Sequence, residues 1–457
     1  MDRRDFIKNS VIAAGGIALA SCTGCNESDK TSDRERGPMS VRTNPKTGEK
    51  VSLLGYGCMR WPTVSMTGTE QDKNAEIDQE EVNRLVDRAI ECGVTYFDTA
   101  PVYCKGKGEE ATGIALSRHR RDEYTIATKM SNFSPGSWSF ENSVNIYRKS
   151  FEILQVEYFD YYLLHSVGGG DGIATFNDRF IDNGLLDFLL KEREQGRIRN
   201  LGFSFHGDVK VFDHLLGLHP EYHWDFVQIQ MNYVDWTNAD KINPRNVDAE
   251  YLYGELDRIG IPVVIMEPLL GGRLSNVPDR IAAMMLEREP SRSIASWAFR
   301  FCGSFPRVLT VLSGMTYMEH LEDNLNTFSP IQGLEEEEFA FLDKVADCLA
   351  EYPTVPCNDC RYCLPCPYGI DIPGILLHYN KCVNEGSLVS DPTDSSYRKL
   401  RKRYLSSYAK AIVPERLADK CIGCGLCIPK CPQNIDIPGK LSRIDAYVEN
   451  LRRQGFH

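Results

Sequence analysis

In Thr95-Tyr96-Phe97-Asp98-Thr99-Ala100-Pro101-Val102-Tyr103 an apolar run of strand character ends in a carboxylate, and a tyrosine follows five positions later. A carboxylate at the end of a buried strand is costly unless it is paired. The candidate partner is Lys129, which ends the next such run, Tyr124-Thr125-Ile126-Ala127-Thr128-Lys129. The run after that, Tyr158 to Leu164, leads into His165. Three successive strands are therefore expected to deliver Asp98, Lys129 and His165 at their ends, with Tyr103 on the loop beside them.

Outward from this stretch, strand-like runs alternate with helical periodicity. The strand candidates are Ser52–Gly57, Thr95–Phe97, Tyr124–Thr128, Phe159–Leu164, Ile198–Phe203, Phe226–Met231, Pro262–Met266 and Val308–Leu312. Helical patterns fill gaps at Asp78–Glu91, Leu185–Glu194, Ala249–Ile259 and Met318–Asn326. Gly93, Gly196 and Gly260 stand just past helices, where a left-handed cap is wanted. Eight strands alternating with helices over about 260 residues suit an α/β fold, the (β/α)8 TIM barrel. A doubly wound open sheet is the alternative. Such a sheet carries a Gly-rich phosphate loop after its first strand, and Leu54-Gly55-Tyr56-Gly57-Cys58 lacks the third glycine.

In a barrel of this kind, catalytic side chains come from the carboxyl ends of several strands. A tyrosine titrating near ~10 is a poor acid at neutral pH, and a neighbouring lysine ammonium is expected to lower that value. Asp98 would keep Lys129 charged, and His165 would donate to a substrate oxygen. Such a set is a proton donor poised against a carbonyl, completed by a hydride source. Singly, each residue also has a structural reading: helix cap, core tyrosine, core histidine.

Phe97-Asp98-Thr99-Ala100 with Tyr103, Ala127-Thr128-Lys129 and Leu163-Leu164-His165 together resemble the aldo-keto reductases. The resemblance covers roughly 41–348. It implies Tyr103 as general acid, Lys129 and Asp98 as its tuners, and His165 as the group that orients the carbonyl. It also implies a nicotinamide dinucleotide, NADP(H) or NAD(H), lying extended across the barrel mouth. Ser204 and Gln228 match the residues that hold the carboxamide. Ser313 and Asn324 match the phosphate and adenine segment. The chain departs from the family where a tyrosine often stacks on the nicotinamide, since Met266-Glu267-Pro268 stands there. Phe205-His206 follows Ser204 in place of an asparagine, and Gly314 and His320 replace basic residues used for the 2′-phosphate.

After Tyr352-Pro353 the composition changes. Of 16 cysteines, Cys357, Cys360, Cys363 and Cys366 form one quartet, and Cys421, Cys424, Cys427 and Cys431 form a second. The second quartet has the bacterial ferredoxin spacing, in which the fourth cysteine reaches the other cluster when two are present. An internal repeat equates the two quartets: Cys366-Pro-Tyr-Gly-Ile-Asp-Ile-Pro-Gly against Cys431-Pro-Gln-Asn-Ile-Asp-Ile-Pro-Gly. The expected ligand sets are Cys357, Cys360, Cys363 with Cys431, and Cys421, Cys424, Cys427 with Cys366, each holding a 4Fe-4S cluster. Zinc is the alternative, since x2 pairs also suit tetrahedral sites. Between the quartets, Cys382 falls in a helical apolar pattern and reads as buried. The basic run from Arg398 to Arg403 reads as a solvated helix face.

At the amino terminus, Arg3-Arg4 precedes a small-residue apolar run, Val11 to Ala20, too short to span a bilayer. This resembles a twin-arginine export signal. Leu19-Ala20-Ser21-Cys22 resembles a lipobox, with Cys22 as the lipidated residue, and Ala18-Leu19-Ala20 offers a rival cleavage site. The expected organisation is a signal and tether over 1–37, the barrel over 38–352, and a small helical and irregular ferredoxin-like domain over 353–457. A net charge of −12 with no long basic run argues against nucleic acid. The expectation is an exported, lipid-anchored oxidoreductase acting on a small carbonyl or alcohol, a sugar among them, with a quinone or membrane redox partner behind its clusters. Two alternatives stand beside it: a plain reductase with structural clusters, and a non-catalytic electron carrier or binding protein on a reductase scaffold.

Overall fold

Eight parallel strands close into a barrel in the computed structural model, which describes residues 36–64, 76–242, 246–389 and 391–454. The export signal and Cys22 lie outside the described residues. A hairpin comes first, β1 (Val41–Thr43) antiparallel to β2 (Lys50–Ser52). The barrel strands follow: β3 (Leu54–Gly57), β4 (Tyr96–Asp98), β5 (Thr125–Met130), β6 (Phe159–Val167), β7 (Ile198–Phe205), β8 (Phe226–Gln230), β9 (Val263–Met266) and β10 (Val308–Ser313). Each pairs with its sequence neighbour, and β10 closes on β3. All eight expected strands are present, with one reassignment. The first run breaks at Leu53: Ser52 belongs to the hairpin, and Val51 packs among the side chains that fill the barrel interior, with Tyr96, Tyr161, Phe226 and Leu312.

The helices obey their sequence signals. Gln79–Glu91 is capped by Asp78, whose carboxylate accepts from the Glu81 N–H. Ala249–Ile259 ends at Gly260, which takes φ +84°. Leu185–Glu194 has the expected bounds, and Met318–Phe328 runs two residues further than its pattern. A thick apolar layer lies between sheet and helices, and a separate core forms behind it from residues of the cysteine-rich segment, including Ile375, Leu376, Tyr404, Tyr408 and Ile444. Three helices build that second core: Ile372–Asn384, Tyr397–Ala411 and Ile437–Arg453. Cys382 is 3% exposed within the first of them, as its pattern implied. Among the described residues no helix is long and apolar enough to cross a membrane. Gly37–His457 forms one compact unit, so the cysteine-rich segment is packed onto the barrel rather than tethered to it.

Candidate active site and iron–sulfur centres

Asp98 is the last residue of β4 and Lys129 the penultimate residue of β5, so neighbouring strands bring them together. Lys129 Nζ donates to Asp98 Oδ1 at 2.5 Å and to the Thr99 carbonyl at 2.8 Å, and both side chains are cut off from water. Burial pushes the Asp98 carboxyl up and the Lys129 ammonium down; the attraction across their contact opposes both. Asp98 Oδ2 has no hydrogen-bond partner among the described residues. Tyr103 follows on a short turn, and Lys129 Nζ lies 4.9 Å from the centre of its ring.

The direction of the Tyr103 shift differs from the sequence expectation. Its hydroxyl is raised well above 10, by burial first, with Tyr362 and Asp98 adding to the rise. The ammonium points at Asp98 and Thr99, and its pull on the phenol is outweighed by the lost hydration.

His165 stands 6.0 Å from Tyr103, ring centre to ring centre, edge to face. Its Nδ1 is 2.7 Å from Ser131 Oγ. When that hydroxyl donates to Nδ1, the ring proton sits on Nε2. Burial lowers His165 well below 6.5, and the charges of Lys129 and Arg179 lower it further, so the ring is neutral at pH 7. β6 does not end at His165 as the sequence implied. It continues to Val167 through a register shift between Leu164 and Val167, where Ser166 takes φ +51°. Arg179 braces this kink, donating to the carbonyls of His165 and Ser166 and to Asn132.

The four residues expected to face a dinucleotide are less uniform. Ser204 Oγ accepts the Ser166 N–H at 2.8 Å, so it supports the kink. Asn324 Nδ2 donates to Ser313 Oγ at 2.8 Å, and the two satisfy each other. Gln228 is 2% exposed and its Oε1 has no partner among the described residues, a buried acceptor that suits the N–H of a carboxamide. Glu267, where a stacking tyrosine was absent from the sequence, accepts from Asn358 Nδ2 at 2.8 Å.

That last bond belongs to a contact the sequence did not reveal. The cysteine-rich segment docks on the barrel mouth. Arg60, just after β3, donates to the Asn358 carbonyl and lies 3.7 Å from Asp359. Gln230, at the end of β8, exchanges amide bonds of 2.8 and 3.3 Å with Gln433. Arg273 reaches Thr354 at 2.8 Å.

The cysteines gather in the two expected sets. Burial raises the Cys360 thiol, and the charges of Cys431, Cys357 and Cys363 raise it further. Cys427 is raised in the same way, with Cys421, Cys424 and Cys366 as its charged neighbours. Cys363 is pushed up to about 12 by burial first, then by Cys357 and Cys431, and it also feels Cys427 of the other set. The second set lines a cavity of about 140 Å³ shared with Cys363. Among the described residues no three His, Cys, Asp or Glu stand close enough together to hold a single metal ion. Four thiol donors per set have the number and chemistry a cubane needs, and the second set's four line one cavity.

Comparison with known proteins agrees. Residues 54–347 match the aldo/keto reductase family, and residues 356–436 match the 4Fe-4S dicluster domain. The chain is similar to the uncharacterized oxidoreductase YqkF of Bacillus subtilis, 26% identical over 315 residues, which is 63% of this chain and 90% of that protein. It is 23% identical over 329 residues to L-galactose dehydrogenase of Arabidopsis thaliana, 68% of this chain and 95% of that one. Among solved structures, the holo form of aldo-keto reductase AKR11C1 from Bacillus halodurans superposes with a TM-score of 0.52 at 24% identity, covering 67% of this chain and 96% of that one. With more than half its length inside the first match, the chain belongs to the aldo/keto reductase family, and it is an oxidoreductase whose barrel is followed by a 4Fe-4S dicluster domain.

Proposed function

We propose that the protein interconverts a carbonyl and an alcohol on a small polar substrate, with Tyr103 as the group that gives or takes the proton. The observation that carries this reading is the meeting of Tyr103, Lys129, Asp98 and His165 at one barrel rim. The substrate oxygen is held between the Tyr103 hydroxyl and His165 Nε2. As negative charge builds on that oxygen, Tyr103 releases its proton. An alkoxide is a stronger base than a phenolate, so transfer is favourable even from a raised phenol. The Lys129 ammonium steadies the phenolate left behind, and Asp98 keeps Lys129 charged. In the reverse direction the same phenolate takes the proton of an alcohol.

A bound nicotinamide dinucleotide, NADP(H) or NAD(H), supplies or accepts the hydride. Gln228 would hold its carboxamide, and the Ser204, Ser313 and Asn324 segments its flanks. Substrate and dinucleotide balance each other in that step; the clusters would pass electrons singly and would serve only to regenerate the dinucleotide, through a two-electron carrier such as a flavin on a partner. Cys357, Cys360 and Cys363 begin at the barrel mouth, whereas Cys424 is exposed at the surface, an arrangement that favours a relay toward a quinone or redox protein over purely structural clusters. The name of the Arabidopsis relative supports a sugar as substrate.

Tyr103→Phe tests the reading. With NADPH and 4-nitrobenzaldehyde, kcat should fall about 10²–10⁴-fold while the dithionite-bleached visible absorbance stays unchanged. Undiminished turnover would remove Tyr103 as the proton donor, and absence of turnover in the wild type would favour the electron-carrier reading. We further propose export by the twin-arginine route and anchoring through a lipid on Cys22, supported by Arg3-Arg4 and the apolar run behind them. Cys22→Ala should move the protein from the membrane to the soluble fraction; unchanged fractionation would remove the anchor.

A further inference from the structure

We propose that Tyr362, contributed by the iron–sulfur domain, forms one wall of the substrate site, so that the loop around the first cluster completes a pocket which the barrel alone leaves open. This rests on the reading of Tyr103 and His165 given above and adds a specificity-determining residue to it.

The placement comes from how the loop is fastened. Asn358 is 4% exposed and is held from three sides. Its carbonyl accepts from Arg60, its amide donates to Glu267, and its main chain lies flat on Gly271. A Cβ at Gly271 would come within 2.6 Å of Asn358 Cα, and Gly271 itself takes φ +67°, so only glycine allows this approach. Asp359 and Arg361, at φ +57° and +65°, then turn the chain sharply through left-handed conformations that side chains rarely adopt. Such conformations persist only where surrounding structure enforces them, and here they turn Tyr362 toward the barrel mouth. Tyr362 lies between Cys360 and Cys363 in the chain, so its position is tied to the cluster ligands.

The Tyr362 ring lies 6.1 Å from that of Phe133, centre to centre. Phe133 in turn lies 4.8 Å from His165 and is 39% exposed, a large apolar side chain left open beside a buried catalytic pair. The two rings touch, so the loop after β5 and the iron–sulfur loop together make one continuous aromatic wall beside His165. A substrate whose carbonyl is seated against Tyr103 and His165 extends along that wall. An aromatic wall favours a carbonyl attached to a ring with an apolar face. A short acyclic aldehyde covers little of it.

The test uses the full-length, anaerobically prepared holoenzyme with NADPH and two probes, 4-nitrobenzaldehyde and propanal. Tyr362→Ala should raise KM for 4-nitrobenzaldehyde about tenfold or more, leave KM for propanal within about twofold, and change kcat little for either. Tyr362→Phe should behave as wild type, because the ring and not the hydroxyl makes the wall. Visible absorbance and the reduced-cluster resonance spectrum report whether both clusters are intact. If Tyr362→Ala fails to assemble them, Tyr362→Leu preserves bulk, removes the aromatic face, and should show the same ring-selective rise. An unchanged KM ratio with intact clusters overturns the wall. Tyr103→Phe, run in parallel, separates the two failures: inactivity there with an unchanged ratio at Tyr362 sinks only the wall. Full turnover by Tyr103→Phe, or no turnover of either probe by wild type, sinks both.

Discussion

At the scale of single residues, the site is governed by what burial does to charge. His165 would have to carry a proton near Lys129 and Arg179 and out of reach of water, so its cationic form is penalised and its neutral form persists well below 6.5. Tyr103 is shifted the opposite way and stays protonated well above 10. The active protonation state for carbonyl reduction, neutral His165 with protonated Tyr103, therefore spans the whole neutral range. We expect kcat/KM for reduction to be flat from about pH 6 to about pH 9. A break near 6.5 in the pH profile would mean that His165 is hydrated and is not held as described. Ser131 belongs to this picture, because its hydroxyl is the hydrogen-bond partner of His165 Nδ1. No sequence spacing announces it, since a serine two residues past Lys129 is ordinary strand composition.

At the scale of elements, the kink in β6 decides where His165 points. The strand runs past the histidine, slips register, and places Ser166 in a left-handed conformation that strands avoid. Ser204 on β7 accepts the amide exposed by that slip. Its family resemblance marks it for a cofactor, yet its bond in this chain is to the protein's own backbone. Ser204→Ala leaves a part-buried N–H unpaired, which costs about 1–3 kcal/mol. Anaerobic urea unfolding should show that loss, together with a several-fold fall in kcat as His165 swings from its aim. A change within about 0.3 kcal/mol would mean that the kink holds without Ser204. The eight strands themselves were readable because buried parallel strands are short apolar runs, bounded by caps such as Asp78 and Gly260. Ser52 was misplaced for the same reason: a hairpin strand whose Val51 packs into the barrel interior looks as apolar as a wall strand.

At the scale of the molecule, the legible and illegible parts divide by sequence distance. Asp98, Lys129 and His165 sit on three consecutive strands with Tyr103 on the turn after the first, so barrel topology brings them together. The cysteine sets follow from local spacing and an internal repeat. The docking of the iron–sulfur loop follows from neither. Arg60 and Asn358 are 298 positions apart, and no periodicity links them. The only trace was negative: Glu267 stood where the family often has an aromatic ring, and its carboxylate turned out to serve the domain contact.

The crossing of the two cysteine sets has a consequence for how the protein is made. Cys431 lies near Cys360 and Cys366 near Cys427, which supports the crossed sets the sequence suggests. Cys431→Ser should therefore remove the cluster nearest the barrel and keep the outer one, taking iron from about eight to about four atoms per chain. Equal loss of both would mean that the sets are not crossed. On the crossed reading the cage that starts at Cys357 is closed only by Cys431, on the far side of the insert, so the mouth loop stays unfinished until the second quartet has been made. On that reading the loop carrying Tyr362 would wait for metal after the barrel strands have formed, and chains made without iron would fold a barrel that lacks this wall.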